Sequence, residues 1–212
     1  MGASATLIAL AVVVLIALGG FNNTPGWWGR VDTINPADPQ VIEQAERLEN
    51  AITTQLTAVR DPEDPKWAVA ITQEQANAWL AVRLVETINT HMGSDAWPEQ
   101  VMRVRVEIND DTLAIGVRMA HTTGSMVVWG RVSLEVDAEG ALWAQLSGVH
   151  IGTTPAAMWL VSAMSAGEGL SGRVHIGSAS IELGDGRIAE ILGVRVSGGR
   201  LELVMQTIVK DN

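Results

Sequence analysis

The chain of 212 residues contains no cysteine and no tyrosine, and it has a single phenylalanine. Without cysteine, neither a disulfide framework nor a thiolate zinc site can form. Positive charge is scarce: 14 Lys and Arg stand against 24 Asp and Glu, a formal charge of −10. Phosphate backbones and anionic headgroups are bound by basic surfaces, so nucleic acid is not expected as a partner. The first 29 residues carry no charged side chain at all.

What fills that uncharged stretch is apolar. Ala3 to Phe21, ASATLIALAVVVLIALGGF, spans about 28 Å as a helix at roughly 1.5 Å per residue, close to a hydrocarbon core of about 30 Å. This predicts a single membrane-spanning helix within residues 1–22. Ala17-Leu18-Gly19 resembles a signal cleavage site, but no basic n-region precedes it, so the segment reads as an uncleaved signal anchor. Trp27 and Trp28 follow directly, where indole rings would sit at headgroup level. Residues 23–38, rich in Asn, Pro and Gly, read as a juxtamembrane linker. The remainder, 39–212, reads as one domain placed outside the cytoplasm, the usual outcome for an N-terminal signal anchor.

Asp38 and Pro39 open a first soluble helix whose apolar stripe is Ile42, Ala45, Leu48, Ile52, Leu56 and Val59. The DPEDP turn at 61–65 ends it and lacks the ligand series of a calcium loop. A second helix begins at Thr72, which with Gln75 fits a capping box. Its stripe of Leu80, Ala81, Leu84, Val85 and Ile88 is headed by Asn77. A polar amide at the top of a buried face needs hydrogen-bond partners, for which backbone groups of a neighbouring strand or of the preceding loop are expected; Asn77 thus reads as a structural tie. Trp79 lies on the opposite face of this helix.

From residue 101 the period changes to 2. VMRVRVEI, then Leu113 to Met119, then Met126 to Val136, then ALWAQLSGVHI read as four consecutive antiparallel strands with one wet face, on which Arg103, Arg105, Trp129 and Arg131 fall. Thr154 and Pro155 read as the start of a short helix carrying Trp159. RIAEILGVRVS and RLELVMQTIVK form a hairpin at Gly198-Gly199. The fold class is α+β: an antiparallel sheet of about six or seven strands with helices packed on one face.

WAVAITQEQANAWLAVRL, followed by a meander and GVHIGTTPAAMWLVSAM, resembles the YpmS-like group of bacterial proteins. The resemblance is carried by Ile71, Thr72, Ala76, Asn77 and Leu80 at the opening of the domain, and by Val149, Gly152 and Pro155 before the late helix; Ala76 stands where the group has leucine. It implies a membrane anchor joined to a small extracytoplasmic α+β domain, and it brings no catalytic residues.

Motifs for catalysis and metal binding are missing from the sequence. His91, His121, His150 and His175 lack metal spacing, no nucleophile motif occurs, and Gly184-Asp185-Gly186-Arg187 lacks the lysine of a phosphate loop. No enzyme, cofactor or metal is therefore expected. Two readings follow: a structural or accessory component that meets a membrane protein partner through Trp79, Trp129 and Trp159, or a module binding a lipid or other apolar ligand, with Met102, Met119, Met126, Met158, Met164 and Met205 as adaptable lining. Ala5 and Ala9 form a small-xxx-small pair that would let another transmembrane helix approach. If Ala3 to Phe21 spans a bilayer, Val13→Arg with Val14→Arg costs roughly 2.5–3.5 kcal/mol per residue at the helix centre. The doubly substituted chain is expected to leave the membrane fraction in a carbonate wash, and wild-type pelleting would overturn the anchor.

Overall fold

The computed structural model describes residues 23–61, 63–93, 96–122, 124–156 and 173–209. The expected anchor and Trp159 lie outside these residues. Among the described residues, no helix is long and apolar enough to cross a membrane. In chain order the elements are α1 (Gly26–Asp32), α2 (Pro39–Thr57), β1 (Lys66–Thr72), α3 (Gln73–Val82), α4 (Leu84–Met92), β2 (Val101–Ile108), β3 (Leu113–His121), β4 (Gly124–Val136), β5 (Ala141–Ile151), β6 (Thr154–Pro155), β7 (Arg173–Ser178), β8 (Ser180–Glu182), β9 (Arg187–Ser197) and β10 (Arg200–Val209). The class is α+β with antiparallel pairing throughout.

The strands form two sheets rather than one. The first has the order β1-β10-β9-β8; the second runs β2-β3-β4-β5-β6, with β7 also pairing β5. β7 and β8 are nearly continuous in sequence, and the chain changes sheet at Ala179, which is buried and bridges the two by bonding Gly140 and Ile191. The closing hairpin turns at Gly198 and Gly199, whose φ values of 58° and 70° suit the two-residue turn that matches strand twist.

The helices also depart from the sequence pattern. Asp38 caps α2 by accepting from Gln40 N–H, but α2 ends at Thr57 and Val59 is 90% exposed beyond it. The expected long second helix breaks at Arg83 into α3 and α4, so Val85 turns outward. Thr154 and Pro155 pair with Ile151 and His150 as a short strand; the expected late helix beyond residue 156 lies outside the described residues.

Why a stripe should begin with asparagine becomes clear at the edge of the second sheet. Thr72 and Gln75 complete the capping box that starts α3. One turn later Asn77, fully buried, donates from Nδ2 to the Val106 carbonyl at 2.8 Å and accepts the Val106 N–H at 2.9 Å. Gln73, four residues earlier on the same face, accepts the Ile108 N–H at 2.8 Å. Arg105 Nη1 takes the Val104 carbonyl. The outward backbone row of edge strand β2 is thus closed from the Val104 carbonyl to the Ile108 N–H by side chains in place of another strand. Behind it, Val106, Ile108 and Leu113 pack with Ala76, Leu80, Ile115, Val132, Leu134, Val196 and Leu201, joining both sheets to α3.

Asn77→Leu keeps the size but strands both Val106 groups, each unpaired group costing about 1–3 kcal/mol. Asn77→Asp sets a carboxylate against two carbonyls and is expected to cost more. Thermal melts should show both losses and little change in Glu74→Gln; unchanged stability in Asn77→Leu would refute this role.

Candidate functional site

The expected wet face of the second sheet is largely covered. Successive residues of a strand point to opposite faces, so Gly116 and Ile115 look in opposite directions: Ile115 joins the core with α3, and Gly116 looks toward α1. That short helix is GWWGRVD, part of the stretch read as a linker. Trp27 and Trp28 are therefore not left free for a headgroup region; they are buried, Trp28 completely, against Val127 with Val31, Ile34 and Trp129. A Cβ on Gly116 would lie 2.7 Å from Trp28 Cζ3 and 2.8 Å from Trp27 Cη2. Only a strand residue without a side chain admits both rings.

Charge fixes the other end of α1. Asp32 pairs with Arg103 and Arg118 at 3.0 Å each, and Arg103 also donates to the Asp32 carbonyl at 2.7 Å. Arg105, only 3% exposed, donates from Nε to the Val31 carbonyl at 3.1 Å. Arg30 reaches Glu107 at 2.6 Å. Cationic side chains thus gather at the carbonyl end of a helix, where the backbone dipole favours them. Burial pushes the Arg105 guanidinium below its ordinary pKa; repulsion from Arg103 adds to this and Asp32 opposes it.

The tryptophans extend across this surface. Trp27 meets Trp28 edge-on at 5.4 Å and Trp129 at 6.1 Å, and Trp129 stacks on His150 at 4.2 Å. Trp129 donates to the Gly152 carbonyl at 2.8 Å. Trp27 Nε1, Trp28 Nε1, Arg118 Nε and His150 Nδ1 are buried without a partner among the described residues. Each unpaired group costs about 1–3 kcal/mol. Burying an indole of about 150–250 Å² at roughly 25 cal/mol per Å² returns about 4–6 kcal/mol. Docking of α1 therefore wins on area despite the unpaired donors.

The expected contact residues do not converge. Trp79 is half-covered by α2 and donates to Glu49 at 3.1 Å, while Arg83 pairs with the same carboxylate. Trp129 lies under α1 on the other side of the second sheet from α3. The methionines do not share a cavity either: Met102 is exposed on the second sheet, whereas Met205 is buried in the first. Asn77 faces β2 as described. The sequence pattern assigns no contact to Asp32, Gly116 or Gln73 and leaves Arg105 facing solvent; the signal available for the first two was an acid ending a helix-compatible run and an isolated glycine inside a strand.

Among the described residues, no three His, Asp or Glu side chains are grouped to hold a metal. A cleft of about 330 Å³ lies between α1, α2 and α3, with Val31, Ile34, Val41 and Ala78 as apolar lining and Arg30, Gln44, Gln73, Glu74 and Asn77 beside them. The arrangement offers contact surfaces and hydrogen-bond donors. Comparison with protein-family models, curated proteins and solved structures finds no match to the chain.

Two glycines separate close packing from open space. Gly116→Val is expected to cost about 1–3 kcal/mol by overpacking and to expose residues 23–38 to limited proteolysis. Gly29→Ala, on α1 itself and with nothing within 4 Å, should stabilise by roughly 0.5–1 kcal/mol. Equal melting temperatures for the two variants would refute the docking geometry.

Proposed function

We propose that the chain is a non-catalytic, membrane-anchored extracytoplasmic domain serving as a structural or accessory component of an envelope or membrane-protein assembly. The observation that carries this reading is the docking of α1. Only residues 22–25 separate Phe21, the end of the apolar run, from Gly26, five steps with a reach of at most about 18 Å at roughly 3.5 Å per residue. A domain bound so closely to its own N-terminal run is suited to a fixed station at a bilayer. The resemblance of the Thr72 to Leu80 segment to the YpmS-like group favours the same address.

The cleft between α1, α2 and α3 favours a second reading, an apolar-ligand module, since its volume falls at the lower end of ligand sites, about 300–1,000 Å³. Two measurements separate these. The chain has no native cysteine, so Val59→Cys, at a position 90% exposed, provides a single label site. Labelling of intact cells by an impermeant maleimide is the expected result, and labelling only after lysis would overturn the address. After mild detergent extraction, a defined complex with other subunits and no stoichiometric lipid supports the accessory role. One equivalent of lipid in an organic extract, with a heat-stability rise when it is returned, would decide for the ligand module.

A further inference from the structure

Edge strands expose backbone groups that pair with other chains unless they are blocked. Here the two long edges are treated differently. That of β2 is closed at its centre, from the Val104 carbonyl to the Ile108 N–H, by Asn77, Gln73 and Arg105. That of β1 is open at its centre. The Pro65 carbonyl accepts from Thr207 N–H, while the Thr72 N–H turns away from β10 to Gln75 Oε1. In an antiparallel ladder this alternation directs the backbone groups of 67, 69 and 71 toward β10 and those of 66, 68 and 70 outward. Thr72 is capped; Ala68 and Ala70 are exposed, and no group among the described residues bonds their outward N–H and C=O.

A groove of about 360 Å³ runs beside this edge, lined by Asn50, Ala51, Thr54 and Gln55 of α2 and by Ala68, Val69 and Ala70. Its lining contains no acid, although the chain carries a net charge of −10. An acidic partner surface would gain nothing from this neutrality, whereas a second copy of the same patch meets no repulsion there.

We propose that β1 pairs with β1 of a second copy of this chain, antiparallel about a two-fold axis at Val69, merging the two four-stranded sheets into one. The register is self-complementary. Ala68 faces Ala70 of the partner and Ala70 faces Ala68, each pair closing the outward N–H and C=O that are open in one copy. Lys66 falls opposite Thr72, so no like charges stand directly across the ladder. The alanines leave room on the outer face. On the other face the uncharged α2 stripe of Asn50, Ala51 and Thr54 meets its own copy across the axis, as an isologous interface requires. This inference does not rest on the accessory role.

The test uses the full chain in detergent. Wild type is expected as a dimer by light scattering. Ala70→Pro removes only an outward N–H, which an edge strand tolerates, and Ala68→Lys places a charge on the edge. Each should weaken dimerisation by at least about tenfold with thermal stability unchanged. Because no native cysteine interferes, an Ala68→Cys chain mixed with an Ala70→Cys chain should form a disulfide at about 5.5 Å between Cα atoms. Ala68→Cys alone should not, since 68 and 68 of the partner stand about 7–8 Å apart on the diagonal. A monomeric wild type overturns the proposal. So does a dimer that survives Ala70→Pro and shows no 68 to 70 bridge, which would put the contact elsewhere in the chain.

Discussion

The structure depends on how the outermost strand of the six-stranded sheet satisfies its backbone. β2 begins a meander whose other strands each have neighbours, and without a partner its outward groups would need water. The core behind it, Val106, Ile108 and Leu113, must be dry. Asn77 and Gln73 resolve this conflict by presenting amides at i and i+4, one helical turn apart, to strand groups at Val106 and Ile108. An amide side chain has the donor and acceptor of a peptide group, so α3 serves as a surrogate strand. That contact sets where α3 lies, and through α3 it sets α2 and the packing of Trp79.

Much of this order is legible in the sequence because it is local. The capping box at Thr72 and Gln75, the N-cap at Asp38 and the glycine pair at 198 and 199 act within a few residues, and each stands where the spacing puts it. The period-2 runs mark β2, β3, β5, β9 and β10 within a residue or two. The division into two sheets is not local. It depends on which strands pair across more than a hundred residues, β1 with β10 for instance, and on a change of sheet at Ala179 that no alternation announces.

The candidate site shows the same limit in sharper form. An alternating strand such as VMRVRVEI shows which residues share a face, but not what covers that face. Arg103 and Arg105 look like solvent-facing residues until Asp32 and the Val31 carbonyl arrive from 71 and 74 residues away. Two adjacent tryptophans after an apolar run fit a membrane interface equally well until Gly116 offers a flat strand surface for their rings. The composition was informative in another way. Trp67, Trp79, Trp97, Trp129 and Trp143 each spend the indole N–H on a named acceptor, so these five rings serve as ties within the domain.

The docking of α1 changes what the domain can reach. Sixteen flexible residues from 23 to 38 would have a root-mean-square span of roughly 20–24 Å, letting whatever they join move over a broad volume relative to the sheets. With α1 folded onto the second sheet, residues 26–32 of that stretch are held in place. Effective concentration depends on the match between tether and span. If the chain is anchored as proposed, the docked helix would shorten the tether and present the domain mainly to surfaces at one height above the bilayer, so that α1 would act as a geometric filter on which encounters occur.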